Sequence, residues 1–179
     1  MHPMKTEDMK KRTTEKLAYE KIHMEELEDM PAGRGHAFER AHHEAFLAQL
    51  FGAYDSFLNE LNIYLACGLK DENVTLGKMH EALDKQGKKS SILKELYELG
   101  QDTKSWFSQA KGLRDTSMHI TGMPLSYYHG GEESGKVALV DPRTQTELPH
   151  DVSKTFAFWV AEMGKLIERH RNTALQRGT

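Results

Sequence analysis

The chain has 179 residues, of which 28% are charged and 38% apolar, and its formal net charge is −3, from 24 Lys plus Arg against 27 Asp plus Glu. This balance suits one domain, or one domain with an appendage; it excludes a disordered chain and a strongly basic nucleic-acid coat, so any nucleic-acid role must rest on a local basic site. Cys67 is the single cysteine, which excludes intrachain disulfides and cysteine-based zinc sites.

The longest apolar run, Phe156 to Ala161, is six residues long, far below the ~18 that a membrane span needs. The N-terminal stretch through Lys5, Glu7, Asp8, Lys10, Lys11 and Arg12 holds no apolar block, so no secretory signal and no membrane partner are expected. The expected location is a reducing cytoplasm.

Residues 4–30 are nearly all helix formers, with Leu17, Met24 and Leu27 as the best available stripe. The pattern predicts a solvated helix or an arm that packs on a partner. Pro31-Ala32-Gly33-Arg34-Gly35 breaks it, which divides the chain into an arm and linker over 1–34 and a bundle over 35–179. From His36 to Leu69 the apolar residues Leu50, Tyr54, Phe57, Leu61 and Tyr64 recur at helical spacing, and Phe46, Phe51, Leu58 and Leu65 widen the face. Gly68 is the expected terminator, with a turn over Lys70 to Asn73.

Two shorter helices are predicted over Leu76–Gln86 and Ser91–Leu99. A further one follows Asp102 as N-cap, carries Trp106, Phe107, Ala110 and Leu113, and ends by Thr121 ahead of Gly122 and Pro124. Between residues 136 and 148 the pattern changes. Lys136 to Val140 reads as a strand, Asp141-Pro142-Arg143-Thr144 as a turn, and Gln145 to Leu148 as a return strand. Asp151 then caps a last helix with the stripe Val152, Phe156, Trp159, Val160, Met163 and Ile167. The expected fold class is all-α: an antiparallel bundle of about five to six helices, with a small β-hairpin inserted before the last helix.

The segment Leu113-Arg114-Asp115-Thr116-Ser117-Met118-His119 presents an arginine, a polar residue beside it and a histidine five positions on. By spacing alone it also describes a surface arginine and a helix-end histidine. Chemically the pair suits RNA cleavage by the 2′-hydroxyl. Histidine exchanges protons near neutral pH, and arginine stays charged and matches phosphate bidentately. Five helical positions amount to 140° modulo a turn, so convergence requires the length of the arginine, the last helical turn, or a second protomer.

This segment resembles the signature of the HEPN superfamily, an arginine followed by four to six residues and a histidine within a helical bundle. The resemblance implies that Arg114 and His119 are the catalytic pair of a metal-independent endoribonuclease of toxin or defence type, with Asp115 orienting them. It implies RNA as substrate, a homodimer whose motif helices meet at a groove, an antitoxin protein as a further partner, and no cofactor. Two departures, Thr121 where some family toxins carry Tyr and the arm and hairpin outside the minimal bundle, leave room for a catalytically inactive HEPN-like module that binds RNA, a nucleotide or a protein.

A third reading is a metal-binding bundle. Glu20-Lys21-Ile22-His23 and Glu39-Arg40-Ala41-His42 share the Glu-x-x-His spacing of diiron bundles. The first copy falls in the weakly amphipathic arm, later helices show no further copy, and His42-His43-Glu44 reads as a solvated face, so no metal is expected. Gly130 to Lys136 imitates a phosphate loop, but Val137 stands where Ser or Thr should reach magnesium and a strand follows instead of a helix. Cys67 has the apolar neighbours of a buried structural thiol. Trp106, Phe107 and Trp159 fall on apolar stripes and are expected in the core.

Overall fold

The computed structural model describes residues 6–28, 36–119, 124–128 and 137–177, without the side chains of 27, 28, 36, 118, 119 and 175–177. Within them lie six α-helices: α1 (Thr6–Glu28), α2 (His36–Tyr64), α3 (Leu76–Lys85), α4 (Ser91–Gln101), α5 (Trp106–His119) and α6 (Val152–Arg177). Three strands precede α6: β1 (Leu125–Tyr127), β2 (Val137–Asp141) and β3 (Thr146–Asp151). The mainly helical architecture with a β insertion before the last helix agrees with the pattern read from the sequence.

α2 is the axis of the molecule. Its Phe46, Leu47, Leu50, Phe57 and Leu61 are fully buried, together with Leu113 of α5 and Phe156 and Trp159 of α6. Phe46 stacks on Phe156 at 3.9 Å, whereas Phe51 and Tyr54 meet Phe107 at 5.4 and 4.8 Å. These stacked and tilted ring contacts help fix α5 and α6 on the central helix, in addition to apolar burial.

α1 is neither a solvated helix nor an arm reaching for a partner. It packs on α2 and α6 of its own chain through Met9, Thr13 and Glu20, all buried, with Leu17 and Met24 against the core. That stripe has regular helical spacing, but two of its members are polar, so an apolar pattern cannot show it. Glu60 of α2 holds the helix in place. It accepts two hydrogen bonds from Arg171, at 2.6 and 2.7 Å, and one from Thr13.

The long helix stops at Tyr64, five residues before the predicted end. Ala66 adopts a positive φ of 52°, and the Asn62 amide bonds Leu69 in both directions, at 2.9 and 3.1 Å, closing the chain back before Gly68. Gly68 has φ +72° and completes the reversal, a conformation that costs glycine little.

The β insertion is a three-stranded antiparallel sheet ordered β1-β2-β3, not a two-stranded hairpin. Leu125, opposite Leu139, begins the unanticipated strand, which at three residues is too short to leave a period-2 pattern. Asp151 caps α6 as its sequence indicates, its carboxylate accepting from the Lys154 amide at 2.9 Å.

Candidate functional site

α5 begins at a cap different from the expected one. Ser105, rather than Asp102, receives the Ser108 amide at 3.0 Å, while Asp102 ends α4 and accepts from the Lys104 amide. Once started, α5 buries Phe107, Ala110 and Leu113 against α2 and α6. The neighbouring face carries Ser108, Lys111, Arg114 and Asp115 and forms one wall of a cavity of about 480 Å³. α2 contributes Phe51, Tyr54 and Asp55 to it, α4 contributes Leu96 and Tyr97, and the β2–β3 turn contributes Arg143.

Arg114 donates from Nε and Nη2 to one carboxylate oxygen of Asp115, at 2.9 and 2.7 Å, and its guanidinium lies 4.5 Å from the centre of the Phe51 ring. Lys111 donates to the other Asp115 oxygen at 2.7 Å. Burial works to raise the Asp115 carboxyl, but the hydrogen bonds and charges of Lys111 and Arg114 outweigh it and hold the group below its ordinary range. Asp55, on the α2 wall, is raised, chiefly by lost solvation and against the pull of Arg114. The site therefore combines a guanidinium backed by an aromatic ring with two carboxylates of unequal acidity.

Arg143 closes the cavity from the sheet side. It donates to Asp141, to the Ser108 hydroxyl at 2.6 Å and to the Thr103 carbonyl at 3.0 Å, tying the turn to the start of α5. No sequence pattern pointed to it, because its partners lie 35 and 40 residues away. Lys111, Asp55 and Tyr97 were likewise silent in the sequence.

Of the expected catalytic residues, Arg114 and Asp115 are together at the cavity. His119 is the last residue of α5, and its side chain lies outside the described residues. Its helical position continues the row Lys111–Asp115 by four, with about 40° of drift per step. The bonds to Asp115 place the Arg114 guanidinium beside the Lys111–Asp115 part of that row. Thr121 and the glycine-rich stretch 130–136 lie outside the described residues.

The two Glu-x-x-His repeats do face each other on paired helices, contrary to the placement of the first in a detached arm. His23 and His42 approach through their Nδ1 atoms at 3.4 Å. Glu20 is fully buried, neither carboxylate oxygen has a hydrogen-bond partner among the described residues, and burial pushes its carboxyl up to about 9. Among the described residues no three His, Cys, Asp or Glu side chains stand together as a metal site. His43 is not part of a solvated face; it is buried edge-on to Phe156 and pushed down to about 4 by burial, with His42 adding to the effect. Cys67 is buried, and burial raises its thiol. Phe107 and Trp159 are core residues and Trp106 is half-buried beside them.

Among the described residues no helix is long and apolar enough to cross a membrane. No protein-family model, curated protein or solved structure matches the chain.

Proposed function

We propose that this chain is a HEPN-like endoribonuclease of toxin or defence type that cleaves RNA without a metal, as a homodimer, in the cytoplasm. Arg114 binds the phosphate and neutralises charge on the phosphorane; His119 transfers the proton, and Asp115 orients the arginine. A neutralising antitoxin protein is the further partner this reading carries. The observation behind it is the Arg114 guanidinium, held by Asp115 beside the helical row that ends at His119 and opening on a cavity of about 480 Å³. That volume falls within the ~300–1,000 Å³ of small-ligand pockets.

A second reading, a HEPN-like module that binds RNA, a nucleotide or a protein without cutting, is favoured by a specific feature. Arg114 spends Nε and one N–H of Nη2 on Asp115, which leaves the edge formed by Nη1 and the second Nη2 hydrogen to hold a phosphate while the carboxylate stays in place.

The test is cleavage of labelled RNA in excess chelator by wild type, His119→Ala and Arg114→Ala. Wild type should cut, and each variant should be slower by about 10²-fold or more. Binding without cutting selects the second reading. Activity that chelator abolishes and zinc or manganese restores overturns both, and returns attention to Glu20, His23, Glu39 and His42.

A further inference from the structure

From Lys85 to Lys94 the chain carries four lysines and no carboxylate, although its net charge is −3. The fold gathers three of them, Lys88, Lys89 and Lys94, around a hollow of about 220 Å³ at the α3–α4 corner, with His80 and one carboxylate, Asp84, on its wall. The three lysines are exposed and weakly engaged. Lys88 donates to Gln86, Lys94 stands 3.7 Å from Glu98, and Lys89 holds no partner among the described residues.

The corner is joined to the Arg114 cavity by a single aromatic contact. The His80 ring meets Tyr97 edge-on at 6.2 Å, and Tyr97, 53% exposed, is itself on the cavity wall. The imidazole Nε2 is buried with no hydrogen-bond partner among the described residues. Lys94 and Tyr97 are three apart on α4, hence on one face of it. One helix of eleven residues, about 16 Å long, thus runs from a lysine cluster past an exposed aromatic ring to a pocket holding an arginine. Cations that follow a backbone, interleaved with a stacking ring, suit single-stranded nucleic acid. An acidic peptide would use the cations but engages Tyr97 only where it carries an aromatic residue, whereas every nucleotide brings a ring.

We propose that the exposed side of α4 is a single-stranded RNA track: Lys88, Lys89 and Lys94 take backbone phosphates, Tyr97 stacks a base, and the strand continues into the Arg114 cavity. This rests on the RNA reading above and adds the path by which the strand reaches the site.

The experiment measures binding of the full chain to a short labelled 2′-O-methyl oligouridylate, which cannot be cleaved, over a salt series. Lys88→Gln with Lys89→Gln should weaken binding at low salt and flatten the slope of log affinity against log salt by about 1.4, at roughly 0.7 per phosphate contact. Tyr97→Ala should weaken binding by between about fivefold and a hundredfold with an unchanged slope, and Tyr97→Phe should restore it. These side chains are exposed, so melting temperature should hold. If wild type binds, Arg114→Ala binds weakly, and the lysine pair and Tyr97→Ala bind as wild type, the track is wrong while the RNA reading stands. If wild type binds no RNA, both fall. If a labelled oligoglutamate binds as well as the RNA and loses affinity in the lysine variant, the corner is a protein-docking patch and the proposal is overturned.

Discussion

Two arginine–carboxylate pairs flank α2, and their surroundings differ. Arg171 grips Glu60 with two hydrogen bonds where the carboxylate side chain is 0% and the arginine 19% exposed, and Thr13 of a third helix completes the cluster. Arg114 and Asp115 are sequence neighbours on one helix, 28% and 38% exposed, and their contact joins no two elements. The Coulomb attraction is comparable, but the environment separates the roles. A buried carboxylate stripped of its partner is left as an uncompensated charge, so the first pair holds α1, α2 and α6 together. An exposed intrahelical pair contributes under about 1 kcal/mol and leaves its guanidinium available to a ligand. The first is architecture, and the second is free for the role proposed for it.

The sharpest way to break this comparison is to cut the buried pair. Glu60→Ala strands the Arg171 guanidinium, while the Thr13 hydroxyl keeps its bond to the Met9 carbonyl, and should cost about 3–5 kcal/mol in chemical denaturation. Amide exchange should rise first in α1, which loses its bond to the core. Replacing both charged partners, as in Glu60→Leu with Arg171→Met, should recover much of that loss. A cost under about 1 kcal/mol for Glu60→Ala would mean that burial does not distinguish the two pairs.

Glu20 comes next in size. It occupies the same α1 interface but has no partner for either oxygen among the described residues, and burial raises its folded carboxyl to about 9, against an ordinary value of 4.5. The acid is thus protonated in the folded chain and ionised in the unfolded chain across that window. Its contribution is fully present below the ordinary value and is lost as pH rises toward about 9. His43, pushed down from 6.5 to about 4, works in the opposite direction, its contribution being lost only as pH falls below 6.5. Between 6.5 and 9 the Glu20 slope is therefore unopposed by it, and stability should fall by about 1.4 kcal/mol per pH unit. Glu20→Gln should flatten that slope and raise stability at neutral pH by about 1–3 kcal/mol. A wild-type curve flat over this range would show that a partner or water satisfies the acid.

Much of the bundle was legible because apolar residues at helical spacing dominate α2, α4 and α6, and because Asp151 caps α6 in the usual way. What could not be read lies in polar contacts across long sequence separations. α1 packs through Thr13 and Glu20, and the Thr13 contact depends on Glu60 and Arg171, which lie 111 residues apart. Leu125 to Tyr127 is too short a strand for its own pattern, and Ala66 ends α2 in a conformation that residue type does not announce. At the site, Arg114 and Asp115 were found through a motif. Arg143 and Lys111 were not, because a cavity wall drawn from α5 and a distant turn has no signature in either segment.

The smallest effect on stability, and the one that sharpens the contrast most, belongs to Asp115. Its pair with Arg114 is exposed, so Asp115→Asn should change stability by under about 1 kcal/mol. Because its folded carboxyl is held below the ordinary range, even that contribution exists only above the ordinary carboxylate value and disappears as pH falls through the lowered one. Function should respond differently. The substitution removes the negative charge and one of the two oxygens that hold Arg114 and Lys111, so binding of an uncleavable RNA should tighten severalfold. If Asp115 acts only as a competitor for phosphate, cleavage should rise alongside affinity. If it orients the guanidinium toward the His119 row, affinity should improve while the single-turnover rate drops by about tenfold or more, since misplacing a preorganised charge forfeits transition-state stabilisation. Opposite movement of the two quantities is the outcome expected here. Arg114→Ala is the control: it should lose both affinity and rate, with stability lowered only by the ~0.5–1 kcal/mol of its contact with Phe51. An Asp115→Asn protein that binds RNA no better than wild type would mean the carboxylate never competed with phosphate, and the pair would then be as structural as Glu60 with Arg171.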